Sequence, residues 1–180
     1  MDLKTEILRE HSKRQSLRIA AWVGRNRWRF KQLMELFLHG EYRVTQRSAW
    51  VVSHIGMKHP KLITPWLPAM LKRMQEPGVH IAVKRNVLRV LAEIPIPQAL
   101  LGRVVSICFD ELGKPESPTA VRVYSMQTLG KIAEREPGIT RELRDSMERM
   151  LPYGGAGIQS CATKVLKRLE RRKVDSGGGN

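Results

Sequence analysis

The chain is poor in cysteine, in aromatic residues and in acid. Two cysteines in 180 residues, Cys108 and Cys161, cannot build a disulfide framework, and a reducing, cytoplasmic compartment fits. No apolar run approaches the roughly 18 residues of a membrane span, so no membrane partner is expected. The segment from Met1 to Arg14 is charged and has no apolar signal core. Neither CxxC nor HExxH occurs, and Glu35 with His39 or His54 with His59 makes a poor metal pair. No metal, cofactor or catalytic residue is therefore expected, and the chain reads as a non-enzyme. Strand signals are nearly absent as well. With 42 % hydrophobic and 27 % charged residues, the chain is globular. Its length suffices for one domain that buries about 70 % of its unfolded surface.

What is abundant is positive charge. Thirty-two Lys and Arg stand against 17 Asp and Glu, a net +15, and the excess is densest over residues 1–60, with 12 basic and 5 acidic groups. Such a field draws nucleic acid or anionic surfaces. It also solubilises a helix-rich protein that carries Arg on its wet faces.

Apolar residues recur at spacings of three and four, the period of a helix buried on one side. Glycines and prolines cut the pattern at short intervals, among them Gly40, Pro60, Pro77-Gly78, Pro95, Pro97, Pro137-Gly138 and Gly154-Gly155. The spacing predicts helices near 3–23 (with a break near Ser12), 26–38, 42–57, 61–75, 79–94, 97–112, 118–135, 139–151 and 156–172. Ser117-Pro118 reads as a helix start, Ser as cap and Pro at the first helical position. Residues 1–173 are expected to form the domain, and residues 174–180, with their three glycines, a flexible tail.

An internal repeat emerges when the helix at Tyr42 is shifted by 39, then 38, then 37 residues. Five columns align: Val44, Val83, Val121, Ile158; Ser48, Val87, Ser125, Ala162; Val51, Val90, Thr128, Val165; Val52, Leu91, Leu129, Leu166; and Ile55, Ile94, Ile132, Leu169. At 100° per residue they occupy about 100° of helix surface, one buried stripe. A second amphipathic helix precedes each copy. Such a pair cannot bury its apolar face alone, but stacked pairs can. Periodicity by itself supports stacked helix pairs, and a compact helical bundle remains the alternative.

The segments RSAWVVSHIG (47–56), RNVLRVLAEI (85–94), VRVYSMQTLGKI (121–132) and IQSCATKVLKRL (158–169) resemble HEAT and armadillo-type α-solenoids over roughly residues 26–172. The resemblance implies an all-α, right-handed α–α superhelix of about four to five HEAT-like helix pairs. It further implies a scaffold that engages a protein or peptide on the concave face lined by its second helices.

The repeat register then marks a candidate binding stripe about 240–300° around the helix from the first buried column. Its members are Arg43, Arg47, Trp50 and His54; Asn86 and Arg89; Tyr124, Gln127 and Lys131; and Lys164 and Arg168, with Cys161 also falling on it. Arg14 and Arg18, one turn apart, extend it toward the N-terminus. A ladder of cations with aromatics could instead grip DNA or RNA without sequence preference, although Glu93 interrupts it. In a second basic cluster, Arg25, Arg27, Arg29 and Lys31, the Arg residues are expected to fan outward while Trp28 and Phe30 turn inward. Lys164, Lys167, Arg168, Arg171, Arg172 and Lys173 read as the basic end of a terminal helix. Cys108 reads as core. HEAT-like solenoids include DNA glycosylases for alkylated bases, for which Asp110 is the least implausible acid, but no aromatic–Asp constellation surrounds it.

Overall fold

A computed structural model describes the backbone of residues 1–177 and side chains through residue 171. It divides into two compact units, Met1–Pro97 and Gln98–Asn180.

In the first unit, α1 (Leu3–Arg9) starts where the Asp2 carboxylate accepts from Lys4 N. The predicted break falls as expected: Ser12 Oγ accepts from Gln15 N at 3.1 Å and caps α2 (Lys13–Val23). Gly24 turns the chain at φ 52°, a conformation that side chains resist. Asn26 Oδ1 then caps α3 (Arg27–His39) through Arg29 N. The long helix α4 (Tyr42–Lys58) packs against α1, α2 and α3. The helix expected over 61–75 is broken in two. α5 (Pro60–Ile63) gives way to a 3-10 turn at Thr64–Trp66, and α6 (Leu67–Arg73) follows. Pro65 and Pro68 lack the N–H groups that a continuous α-ladder would use. His80 Nδ1 accepts from Ala82 N at 2.9 Å and caps α7 (Ile81–Glu93), which lies along α4.

In the second unit, α8 (Leu101–Gly113) pairs with α9 (Thr119–Ala133), and α10 (Thr140–Met150) with α11 (Ala156–Gly177); α9 and α11 lie together. Ser117 does not cap α9. Its hydroxyl donates instead to the Glu111 carboxylate at 2.6 Å, a buried acid that binds it more strongly than a helix N-terminus would. The helix α11 runs beyond the expected end at 172. Residues 174–177 of the expected tail are helical, and residues 178–180 lie outside the described residues.

The aligned columns are buried in both units, except for Leu166, which is half-exposed. Burial of each Val, Leu or Ile side chain contributes about 1.5–3 kcal/mol. Two of the three polar members of the columns satisfy themselves locally, whereas the Ser125 hydroxyl is buried without a hydrogen-bond partner. Ser48 Oγ donates to Thr45 O at 3.0 Å, and Thr128 Oγ1 donates to Tyr124 O at 2.8 Å. Among the described residues the secondary structure is helical and contains no strand.

Candidate protein-binding surface

The stripe begins on α4. Trp50 is half-buried, with the His54 ring stacked at 6.0 Å between centroids and the His11 ring tilted at 5.9 Å. Burial lowers the proton affinity of His54, and Arg89 of α7 and Lys13 of α2 lower it further. Its Nε2 is buried without a hydrogen-bond partner. Thus α4, α7 and the junction of α1 with α2 bring His11, Lys13, Trp50, His54 and Arg89 together. His11 and Lys13 were missed by the sequence reading because they lie outside the repeat register.

Several cations of the stripe are already engaged. Arg47 donates to the carbonyls of Leu8 at 2.8 Å and Ile7 at 3.4 Å, closing the C-terminal end of α1. Arg14 pairs with Glu10 at 3.4 Å, and Arg18 pairs with Glu6. Arg43 is exposed near the start of α4.

Asn86 is not a surface group. It is 3 % exposed, its Nδ2 donates to Ala82 O at 2.8 Å, and its Oδ1 lies 3.0 Å from the Ser53 hydroxyl. The contact between α4 and α7 closes over this position, so an apparently outward repeat position becomes interior. Cys161 is likewise buried at 7 % exposure, its thiol 3.7 Å from Val123 O.

In the second unit, Tyr124 and Lys131 are half-buried and Gln127 is exposed on α9. Lys164 and Arg168 of α11 line a shallow groove of about 580 Å³ with Glu134, Lys167 and Arg171, where Arg168 pairs with Glu134. Asp110 stands exposed on α8.

The second basic cluster departs from expectation. Phe30 is fully buried, but Trp28 is 66 % exposed. Two residues apart on a helix means about 200° of rotation, so the two rings cannot share the core face. Arg29 lies over the Trp22 ring at 4.2 Å and donates to Trp22 O at 2.7 Å.

A family model described as HEAT repeat domain matches residues 3–169. The chain belongs to the HEAT repeat family. The match takes in α1 and α2, which the sequence resemblance from about residue 26 had left outside. HEAT repeats are commonly protein-interaction scaffolds. No curated protein and no solved structure matches the chain. Among the described residues, no helix of this HEAT protein is long and apolar enough to cross a membrane. None of its described His, Cys, Asp and Glu residues gather into a group of three or more that could hold a metal ion.

Proposed function

We propose that this HEAT protein is a non-catalytic scaffold whose second-helix face binds a protein or peptide. The observation that carries the reading is the Trp50 cluster. A half-buried aromatic ring in contact with two imidazoles, one of them in the field of Arg89, offers a flat amphipathic anchor of the kind that dominates protein interfaces. Tyr124, Gln127, Lys131, Lys164 and Arg168 supply the corresponding polar face of the second unit. Arg14, Arg18, Arg47 and Arg168 bond within the chain, which argues against a continuous phosphate ladder. The scaffold is read as acting in the cytoplasm.

The test is capture of a partner by the full chain and by the variants Trp50→Ala and Tyr124→Ala. The expected result is weaker capture by Trp50→Ala with an unchanged melting temperature. Unaltered capture by both variants would remove this face from the account.

The net charge of +15 favours a second reading, nonspecific binding of DNA or RNA. If about five phosphates were neutralised, the logarithm of affinity would fall with the logarithm of salt at a slope near −4.5. Absence of DNA and RNA binding at low salt eliminates it.

A further inference from the structure

At one end of the helix pairs in the first unit, three connections meet: α2 to α3, α4 to α5, and the segment after α7. They enclose a groove of about 650 Å³. It is lined by Arg25, Arg27, His59 and Lys61 together with Pro60, Leu62 and Pro95. No carboxylate lines it among the described residues. Arg25, Arg27 and Lys61 are exposed. Lys58 adds to the field: His59 is held below its ordinary proton affinity by desolvation and then by Arg25 and Lys58. This differs from the Trp50 face, where cations are interleaved with Glu6 and Glu10.

We propose that this groove is a second binding site, for an acidic peptide segment of a protein partner that also presents an aliphatic side chain. Guanidinium forks match carboxylates in two parallel hydrogen bonds, and Arg25 and Arg27 both line the groove. Pro60, Leu62 and Pro95 in the same lining offer an aliphatic side chain apolar contact. A polynucleotide is a poorer fit. Its bases need aromatic faces for stacking, and among the described residues the groove is lined by no Phe, Tyr or Trp and by the single imidazole of His59. The local fold also explains why the cations converge. Gly24 at φ 52° throws Arg25 clear of α2, and the Asn26 cap starts α3 at Arg27. His59 caps the end of α4 directly before Pro60 starts α5. The site is separate from the Trp50 face and does not rest on it.

The probe is a fluorescent peptide of alternating Glu and Leu, titrated onto the full chain by anisotropy. Its controls are the same peptide with Gln for Glu and a labelled oligothymidylate. Arg25→Glu, Arg27→Glu and Lys61→Glu change exposed residues, and Glu at the first position of α3 suits the positive end of that helix. The acidic peptide is expected to bind, to weaken about tenfold or more in Arg25→Glu and Arg27→Glu, and to weaken similarly when its Glu becomes Gln. Trp50→Ala is expected to leave this binding unchanged, so this site and the Trp50 face fail separately. No binding of the acidic peptide, or equal binding by the wild-type chain and the charge-reversed variants, overturns the proposal. Oligothymidylate bound more tightly than the peptide and released by the same reversals overturns it in favour of a nucleic acid groove.

Discussion

The Ser53 hydroxyl of α4 lies 3.0 Å from the Asn86 Oδ1 of α7, with both residues buried. The same hydroxyl is 2.8 Å from Trp50 O, so one proton serves two acceptors. Asn86 is held in turn through its Nδ2 on Ala82 O. This polar pair is embedded in the apolar contact of α4 with α7 and is tied to the Trp50 backbone. Ser53→Ala leaves a buried amide oxygen without its donor. A loss of about 1–3 kcal/mol follows, or a few degrees of melting temperature per kcal/mol. A double cycle with Asn86→Ala checks the coupling. Additive losses would mean that the pair does not act as a unit.

Small residues permit close helix approach at one position and not at another. A Cβ on Gly130 would stand 2.8 Å from Val165 Cγ1, and valine has little freedom to yield. A Cβ on Gly102, near the start of α8, meets nothing within 4 Å. Gly102→Ala is expected to stabilise by about 0.5–1 kcal/mol through chain entropy. For Gly130→Ala, overpacking of about 1–3 kcal/mol outweighs that gain. Thermal denaturation of both, with Val165→Ala added to Gly130→Ala as the relief, measures the contrast.

Trp28 and Phe30 make a second contrast. Phe30→Ala is expected to cost about 3–5 kcal/mol, because it empties a filled core site. Trp28→Ala removes a ring that is 66 % exposed and is expected to lie within about 0.5 kcal/mol of wild type. Chemical denaturation of the two variants gives the comparison.

Both thiols are shielded. Burial pushes Cys108 up to about 12, and burial also raises Cys161. Neither is expected to react with a thiol reagent at mildly alkaline pH until the chain is unfolded. Mass spectrometry of the native protein after labelling checks this, and rapid labelling of Cys108 would contradict its place in the core.

Acid is expected to loosen the N-terminal pair first. Glu6 Oε2 accepts from Gln15 Nε2 at 2.8 Å and also receives Arg18; Gln15 and Arg18 hold its carboxyl below the usual carboxylate range. Asp2 and Glu10 are lowered as well, chiefly by Thr5 and Ser12. A lowered carboxyl contributes stability that is complete above its ordinary value, about 4, and is lost as pH falls through the lowered one. Protection of the α1 amides relative to their intrinsic exchange rates should therefore fall below about pH 4 while α4 stays protected. Glu6→Gln should weaken the pair already at neutral pH and flatten its acid response.

The repeat was legible because burial repeats: Val44, Val83, Val121 and Ile158 all turn inward at shifts of 37 to 39 residues. The break near Ser12 was legible from the local sequence, and there Ser12 caps α2. Side-chain partners were not. Asn86 looked outward on a helical wheel, yet its exposure is decided by the neighbouring helix, which the wheel omits. Ser117 had the right neighbour for a cap but met a buried acid six residues earlier in the chain. The groove at Arg25 and Lys61 joins residues 36 apart, from connections that carry no repeat signal.

The most direct measurement places a photoreactive residue at exposed positions 43 and 127, in the cells that make the chain, with position 31 on α3 as control. Protein adducts at 43 and at 127, absent at 31, with the adduct at 43 lost on Trp50→Ala, are the predicted result. Adducts carrying only nucleotides, or the same adducts at 31, would contradict a protein-binding second-helix face.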